Sequence, residues 1–105
     1  MLPFTSLDAA GSPGAGAVLD LGRVEGTFTA IVWATGNPTG QPVDLEGSHD
    51  GAHWIVLQGG LGAGYVASVN DGPLVRFARA NLRYISGGTS PTFTVTIACG
   101  GSDAD

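Results

Sequence analysis

The side chains with the strongest claim to chemistry sit together near the middle of the chain: Glu46, His49, Asp50 and His53. Two imidazoles and a carboxylate are donor types that hold zinc or a similar divalent ion. Closing such a site needs a third imidazole or a thiolate, and the single cysteine, Cys99, is far away in sequence. The plainer account is that Ser48-His49-Asp50-Gly51 is a turn, and turns gather polar residues because they are exposed. No metal site is expected. Asp44 and Glu46 stand two apart and share one face of a strand, whereas catalytic carboxylate pairs come from different strands so that they straddle a bond. A solvated sheet face accounts for them better. No Gly-x-Ser-x-Gly elbow is present. Gly59, Gly60, Gly62 and Gly64 lack the lysine, the hydroxyl residue and the following helix of a phosphate loop. The chain therefore reads as non-enzymatic, with no catalytic residue and no cofactor.

What remains is binding chemistry. Trp33, Trp54, Tyr65 and Tyr84 are aromatics suited to a sugar ring or a protein anchor. Trp54 falls at a core position of its strand, and Trp33, among threonines, is the better exposed contact. Arg76, Arg79 and Arg83 crowd one segment, and arginine suits planar, bidentate pairing across an interface. In a regular strand Arg76 and Arg79 point to opposite faces.

Composition narrows the classes. A chain of 105 residues is one domain. It has no lysine, four arginines against nine acids, and a net charge of −5, which argues against nucleic acid as a partner. No stretch approaches a membrane helix and the first residues lack the pattern of a signal peptide, so synthesis in the cytoplasm without membrane attachment is expected. With one cysteine no internal disulfide forms, and Cys99 reads as a small buried hydrophobe.

The elements that must position these residues are strands. Phe28, Ala30, Val32 and Ala34 alternate with Thr27, Thr29, Ile31, Trp33 and Thr35. Val43 and Leu45 alternate with Asp44, Glu46 and Ser48, and the Asp50-Gly51 turn returns the chain into His53–Leu57 as a hairpin. Residues 74–85 carry helix-favouring Ala, Arg and Leu, but Val75, Phe77, Tyr84 and Ile85 between Pro73 and Gly87 favour a strand. Phe93, Val95 and Ile97 alternate with threonines in the last strand. Seven or eight strands divided by turn signals predict an all-β, jelly-roll-like antiparallel sandwich over residues 17–99. Residues 1–16 form an extended arm or a first strand, with Leu2, Phe4 and Leu7 as its anchors, and residues 100–105 a flexible tail.

The hairpin VDLEGSHDGAHWIVL resembles a segment of galactose-binding-like, discoidin-type jelly rolls, in which a Ser-x-Asp-Gly turn precedes a tryptophan. Here these are Ser48, Asp50, Gly51 and Trp54, with the tryptophan one residue later than in the tightest version. Arg76, Phe77 and Arg79 resemble the Arg-aromatic-x-Arg strand of that fold. With SGGTSPTFTVTIA at residues 86–98, the pattern is similar to small structural proteins of tailed bacteriophages. The resemblance spans roughly residues 40–98, and the chain lacks the long ligand-binding loops of a discoidin-type domain. It implies a virion structural protein, foremost a capsid decoration protein. Its expected partners are the major capsid protein and copies of itself, as a trimer, in the assembled virion. The interface residues expected are Leu2, Phe4, Leu7, Trp33, Arg76, Arg79 and Arg83. A minor tail protein and a carbohydrate-binding module for host recognition are the alternative readings.

Overall fold

Alternation along each long strand sends one row of side chains inward, and two such strand layers close on each other. The computed structural model describes residues 3–99. It is all-β, with β1 (Phe4–Ala10), β2 (Gly14–Ala15), β3 (Leu19–Glu25), β4 (Phe28–Thr35), β5 (Val43–Ser48), β6 (Trp54–Leu61), β7 (Val66–Val69), β8 (Val75–Leu82) and β9 (Thr92–Cys99). Sheet A has the order β1-β9-β4-β7, and sheet B the order β2-β8-β5-β6 with β3 also on β8. Every pairing is antiparallel. If β2 and β3 are taken as one interrupted strand along β8, eight strands remain, connected as in a jelly roll. The expected all-β sandwich is the observed fold.

The core lies between the sheets. Phe28, Ala30 and Val32 of β4 and Phe93, Val95 and Ile97 of β9 face Val43 and Leu45 of β5 and Ala78, Ala80 and Leu82 of β8. Small alanines on β8 and large phenylalanines on sheet A share this layer, a mix of sizes that lets the two faces interdigitate. Cys99 is buried in this core, and burial pushes its thiol pKa up, consistent with an inert packing role.

The N-terminal segment is a sandwich strand. Phe4 pairs with Ile97 and Leu7 with Val95, and Leu7 is 5% exposed in its own subunit's core. Ser6 ties the segment to the opposite sheet. Its hydroxyl donates to the Ala17 carbonyl at 2.8 Å and accepts from the Ala80 N–H at 2.8 Å. Leu2 and residues 100–105 lie outside the described residues.

The hairpin strand β6 also runs further than its sequence implies. The expected end was Leu57, but Gln58, Gly59 and Gly60 continue the pairing to Leu61 opposite Val43. Register shifts in this stretch absorb the glycines, and Gly60 takes a left-handed φ of 68°.

Phe93→Ala should cost about 3–5 kcal/mol in urea unfolding. Thr96→Ala, on the outward face of the same strand, should change it by less than about 0.5 kcal/mol.

Candidate interaction surfaces

The outer face of sheet B holds the arginines. Asp44 and Glu46 project outward between the inward Val43, Leu45 and Gly47, yet each is only 8% exposed. The expectation of a solvated carboxylate face is thereby corrected. Glu46 pairs with Arg79 across β5 and β8, and the Arg79 Nε–H donates to Glu46 Oε1 at 2.7 Å. The Asn81 amide donates to Glu46 Oε2 at 3.2 Å. Arg83 Nε lies 3.2 Å from Asp44 Oδ1, and the Gly60 N–H donates to the same oxygen at 3.3 Å. Long arginine stems from the neighbouring strand cover the carboxylates, which the β5 sequence taken alone does not reveal.

Trp54 belongs to this lattice and not to the core. It pairs with Ser48 at the start of β6, half-buried, with the Arg79 guanidinium 4.0 Å from its ring centroid. Arg79 is thus held between a carboxylate and an aromatic face, a stacked arrangement that lysine would not reproduce.

Arg76 and Arg79 emerge on the same side, contrary to the regular-strand expectation. Val75 and Ala78 are both buried although they are three apart, so the alternation slips between them. Arg76 consequently reaches Asp20, which is outward between Leu19 and Leu21, in a bidentate pair at 3.0 and 3.1 Å. That pair holds the Asp20 carboxyl below its ordinary pKa. Arg23 contacts Glu25 at 3.1 Å. Each arginine therefore has a carboxylate partner within its own chain.

The Ser48–His53 turn is self-contained. Ser48 Oγ accepts from the Asp50 and Gly51 N–H groups, at 3.2 and 2.9 Å. Asp50 Oδ1 accepts from the Ala52 and His53 N–H groups, at 2.8 and 2.9 Å, and Oδ2 meets His53 Nδ1 at 2.7 Å. These bonds, the His53 backbone first, hold the Asp50 pKa far below the usual aspartate range. His49 turns elsewhere, its Nε2–H donating to the Leu74 carbonyl at 2.7 Å. Among the described residues no group of three metal-ligating side chains assembles. Asp50 and His53 are capping residues of a turn.

Sheet A presents the opposite character. Beyond the edge strand β1, where Asp8 is exposed, its outer face is built from Thr29, Ile31, Trp33 and Thr35 of β4, Thr92, Thr94, Thr96 and Ala98 of β9, and Val66 and Ser68 of β7. Across the three strands β4, β7 and β9 this face carries no ionisable side chain. Trp33, opposite Thr94, is 49% exposed, and Val66, opposite Ile31, is 62% exposed. Thr35 and Thr92 share a hydroxyl hydrogen bond of 2.7 Å. Of the aromatics grouped by sequence, Trp33 stands here and Trp54 on sheet B, while Tyr65 and Tyr84 come together at one end of the sandwich.

No family model and no curated protein matches the chain. Among solved structures it is similar to the crystal structure of SPBc2 prophage-derived protein YomS. The TM-score is 0.65, with 13% identity, over 92% of this chain and 92% of that one. The two share a fold, end to end.

Arg79→Met should destabilise the protein by about 2–4 kcal/mol, because the Glu46 carboxylate is then buried without its cation. Adding Glu46→Leu should recover most of that loss in the same denaturant titration. The depressed carboxyl of Asp50 sets the sign of the acid response: its contribution is present above the ordinary aspartate pKa and is lost as pH falls towards its folded value. Asp50→Asn should therefore lower the thermal midpoint at about pH 6, and its deficit against the wild type should shrink steadily as pH is taken below the ordinary aspartate pKa.

Proposed function

We propose that this chain is a non-enzymatic structural protein of a tailed-phage virion, a decoration protein that binds the outer surface of the capsid as a homotrimer. The observation that carries the reading is the uncharged, threonine-rich surface that β4, β7 and β9 present on the outside of sheet A, with Trp33 exposed within it. A wide face without ionisable groups can be covered by another protein with no charge to desolvate, and an aromatic set among short side chains is a common anchor of protein interfaces. The fold shared with a prophage-derived protein supports a phage setting, although fold by itself does not choose a role.

In this reading the contact surface differs in part from the one expected from sequence. Trp33 remains its centre. Leu7 is committed to its own core, and Arg76, Arg79 and Arg83 are committed to carboxylates of their own subunit. Phe4 is half-buried beside β9 and contributes at most an edge.

Light scattering on the purified protein, alone and mixed with phage heads that lack it, tests the proposal. A trimer that saturates heads at a fixed ratio is expected. Trp33→Asp should weaken head binding by at least about tenfold while leaving the unfolding free energy within about 0.5 kcal/mol. A protein that ignores heads but co-purifies with tails would move it to the tail and end the capsid reading.

A further inference from the structure

At one end of the sandwich three loops meet: residues 36–42 between β4 and β5, 62–65 between β6 and β7, and 83–91 between β8 and β9. Backbone hydrogen bonds tie the first to the third: Thr39 N–H donates to the Ser86 carbonyl at 2.8 Å, Thr89 N–H to Gly36 at 2.8 Å and Arg83 N–H to Pro42 at 2.8 Å. The second is tied to β4, where Gly64 N–H donates to the Val32 carbonyl at 2.9 Å. Two glycines that line the cleft permit close approaches there. A Cβ on Gly40, whose φ is 82°, would lie 2.6 Å from the Tyr84 hydroxyl, and one on Gly62 would lie 2.9 Å from the Gly40 carbonyl. Side chains there would push the loops apart, so the cleft between them is set in place before any ligand arrives.

The cleft has a volume of about 560 Å³ and is lined by Tyr65, Tyr84, Gln41 and Arg83 over a glycine floor. Both phenol rings are partly exposed, and Gln41 links them. Its backbone N–H donates to the Tyr84 hydroxyl at 3.2 Å, and its side-chain amide donates to the Tyr65 hydroxyl. Each phenol oxygen accepts from Gln41 and so keeps its own proton to offer outward. Arg83 sits 5.5 Å from the Tyr84 ring centroid, donates to the Gln41 carbonyl at 2.9 Å and is neutralised by Asp44 at 3.2 Å. The cleft thus offers aromatic surface, several donors and no net charge.

We propose that this cleft binds a neutral pyranose of a surface polysaccharide. Such a sugar has an apolar C–H face for a tyrosine ring and a rim of hydroxyls for the phenol, amide and guanidinium donors, and it brings no charge that Arg83, already paired, would have to answer. The inference is independent of the capsid reading. The cleft lies in end loops, whereas the proposed head contact is the outer face of sheet A.

The test is an amide ¹H–¹⁵N titration of the full chain with the methyl glycosides of glucose, galactose, rhamnose and N-acetylglucosamine, and separately with an oligoproline peptide. At least one glycoside should shift the amides of Gln41, Gly62, Tyr65 and Tyr84 saturably. Tyr65→Ala and Tyr84→Ala should weaken that binding by at least about tenfold, and Trp33→Ala should leave it unchanged. If Tyr84→Ala does not fold, the wild-type shift map and Tyr65→Ala decide. Failure of all four glycosides to move these amides overturns the proposal. So does wild-type affinity in Tyr65→Ala, or a response to oligoproline alone. Head saturation in the light-scattering assay needs neither tyrosine, so the two proposals fail separately.

Discussion

The pairing of Glu46 with Arg79 across β5 and β8 is the interaction on which sheet B depends. No helix covers the outer face of this sheet, and β5 is flanked on both sides by other strands. Its outward carboxylates are therefore screened from water by whatever the neighbours project over them. Buried carboxylates are costly unless charge and hydrogen-bonding capacity are both met. Arg79 and Asn81 meet them for Glu46, and Arg83 with the Gly60 amide meets them for Asp44. Trp54 then closes over the Arg79 guanidinium. Among the described residues no buried side-chain polar atom lacks a partner. A polar lattice does here what a covering layer does in larger folds, and its outer surface is already committed.

That commitment separates the two faces of the molecule. Each arginine is paired within the chain, and the negative surplus belongs to the other acids: Asp8, Asp50, Asp71, Asp103 and Asp105. Among the described residues, Asp8 stands on the edge strand β1 of sheet A, and none of the surplus acids lies on β4, β7 or β9. Those three strands are left with threonine hydroxyls, Ile31, Val66 and Trp33, a surface that is neutral because the charges are placed elsewhere and not because they are cancelled there. Threonine suits this role, since its branched side chain fits the pleat and its hydroxyl bonds locally, as between Thr35 and Thr92.

What was legible in the sequence was the period of two. The strands β4 and β9, the hairpin turn at Ser48–Gly51 and the sandwich itself follow from alternation and turn chemistry close along the chain. The exposed position of Trp33 follows from the same pattern, because its neighbours on that face are threonines. The misreadings concern partners remote in sequence. Nothing local to β5 announces that Asp44 and Glu46 will be covered by arginines more than thirty residues later. Trp54 looks like a core residue because its strand is apolar, and only the position of β6 at the edge of sheet B leaves its ring outside, under Arg79. The slip between Val75 and Ala78 changes the face of one arginine relative to the other, and a strand read as regular cannot show it. Tyr65 and Tyr84 carry no shared signal in sequence, and the jelly-roll crossing of loops brings them together.

The end loops obey a different constraint from the sheets. Along a strand, alternation fixes which side chains face out, and the composition of that face sets what can cover it. At the loop end, contact between backbones governs the shape, and the residues that permit contact are those with no side chain. Gly36, Gly40, Gly64, Gly87 and Gly88 all take left-handed φ values there, as do Asn37 and Ser90. A chain that needed only to close its sandwich could use shorter connections with fewer such positions. Loops held by hydrogen bonds to one another and to β4 keep Tyr65, Tyr84 and Gln41 in fixed relation while leaving the two phenol rings partly exposed. Fixed aromatics around a cleft without net charge are a physical arrangement for recognising a neutral ligand. The sandwich can support that arrangement at one end without altering either the lattice of sheet B or the open face of sheet A.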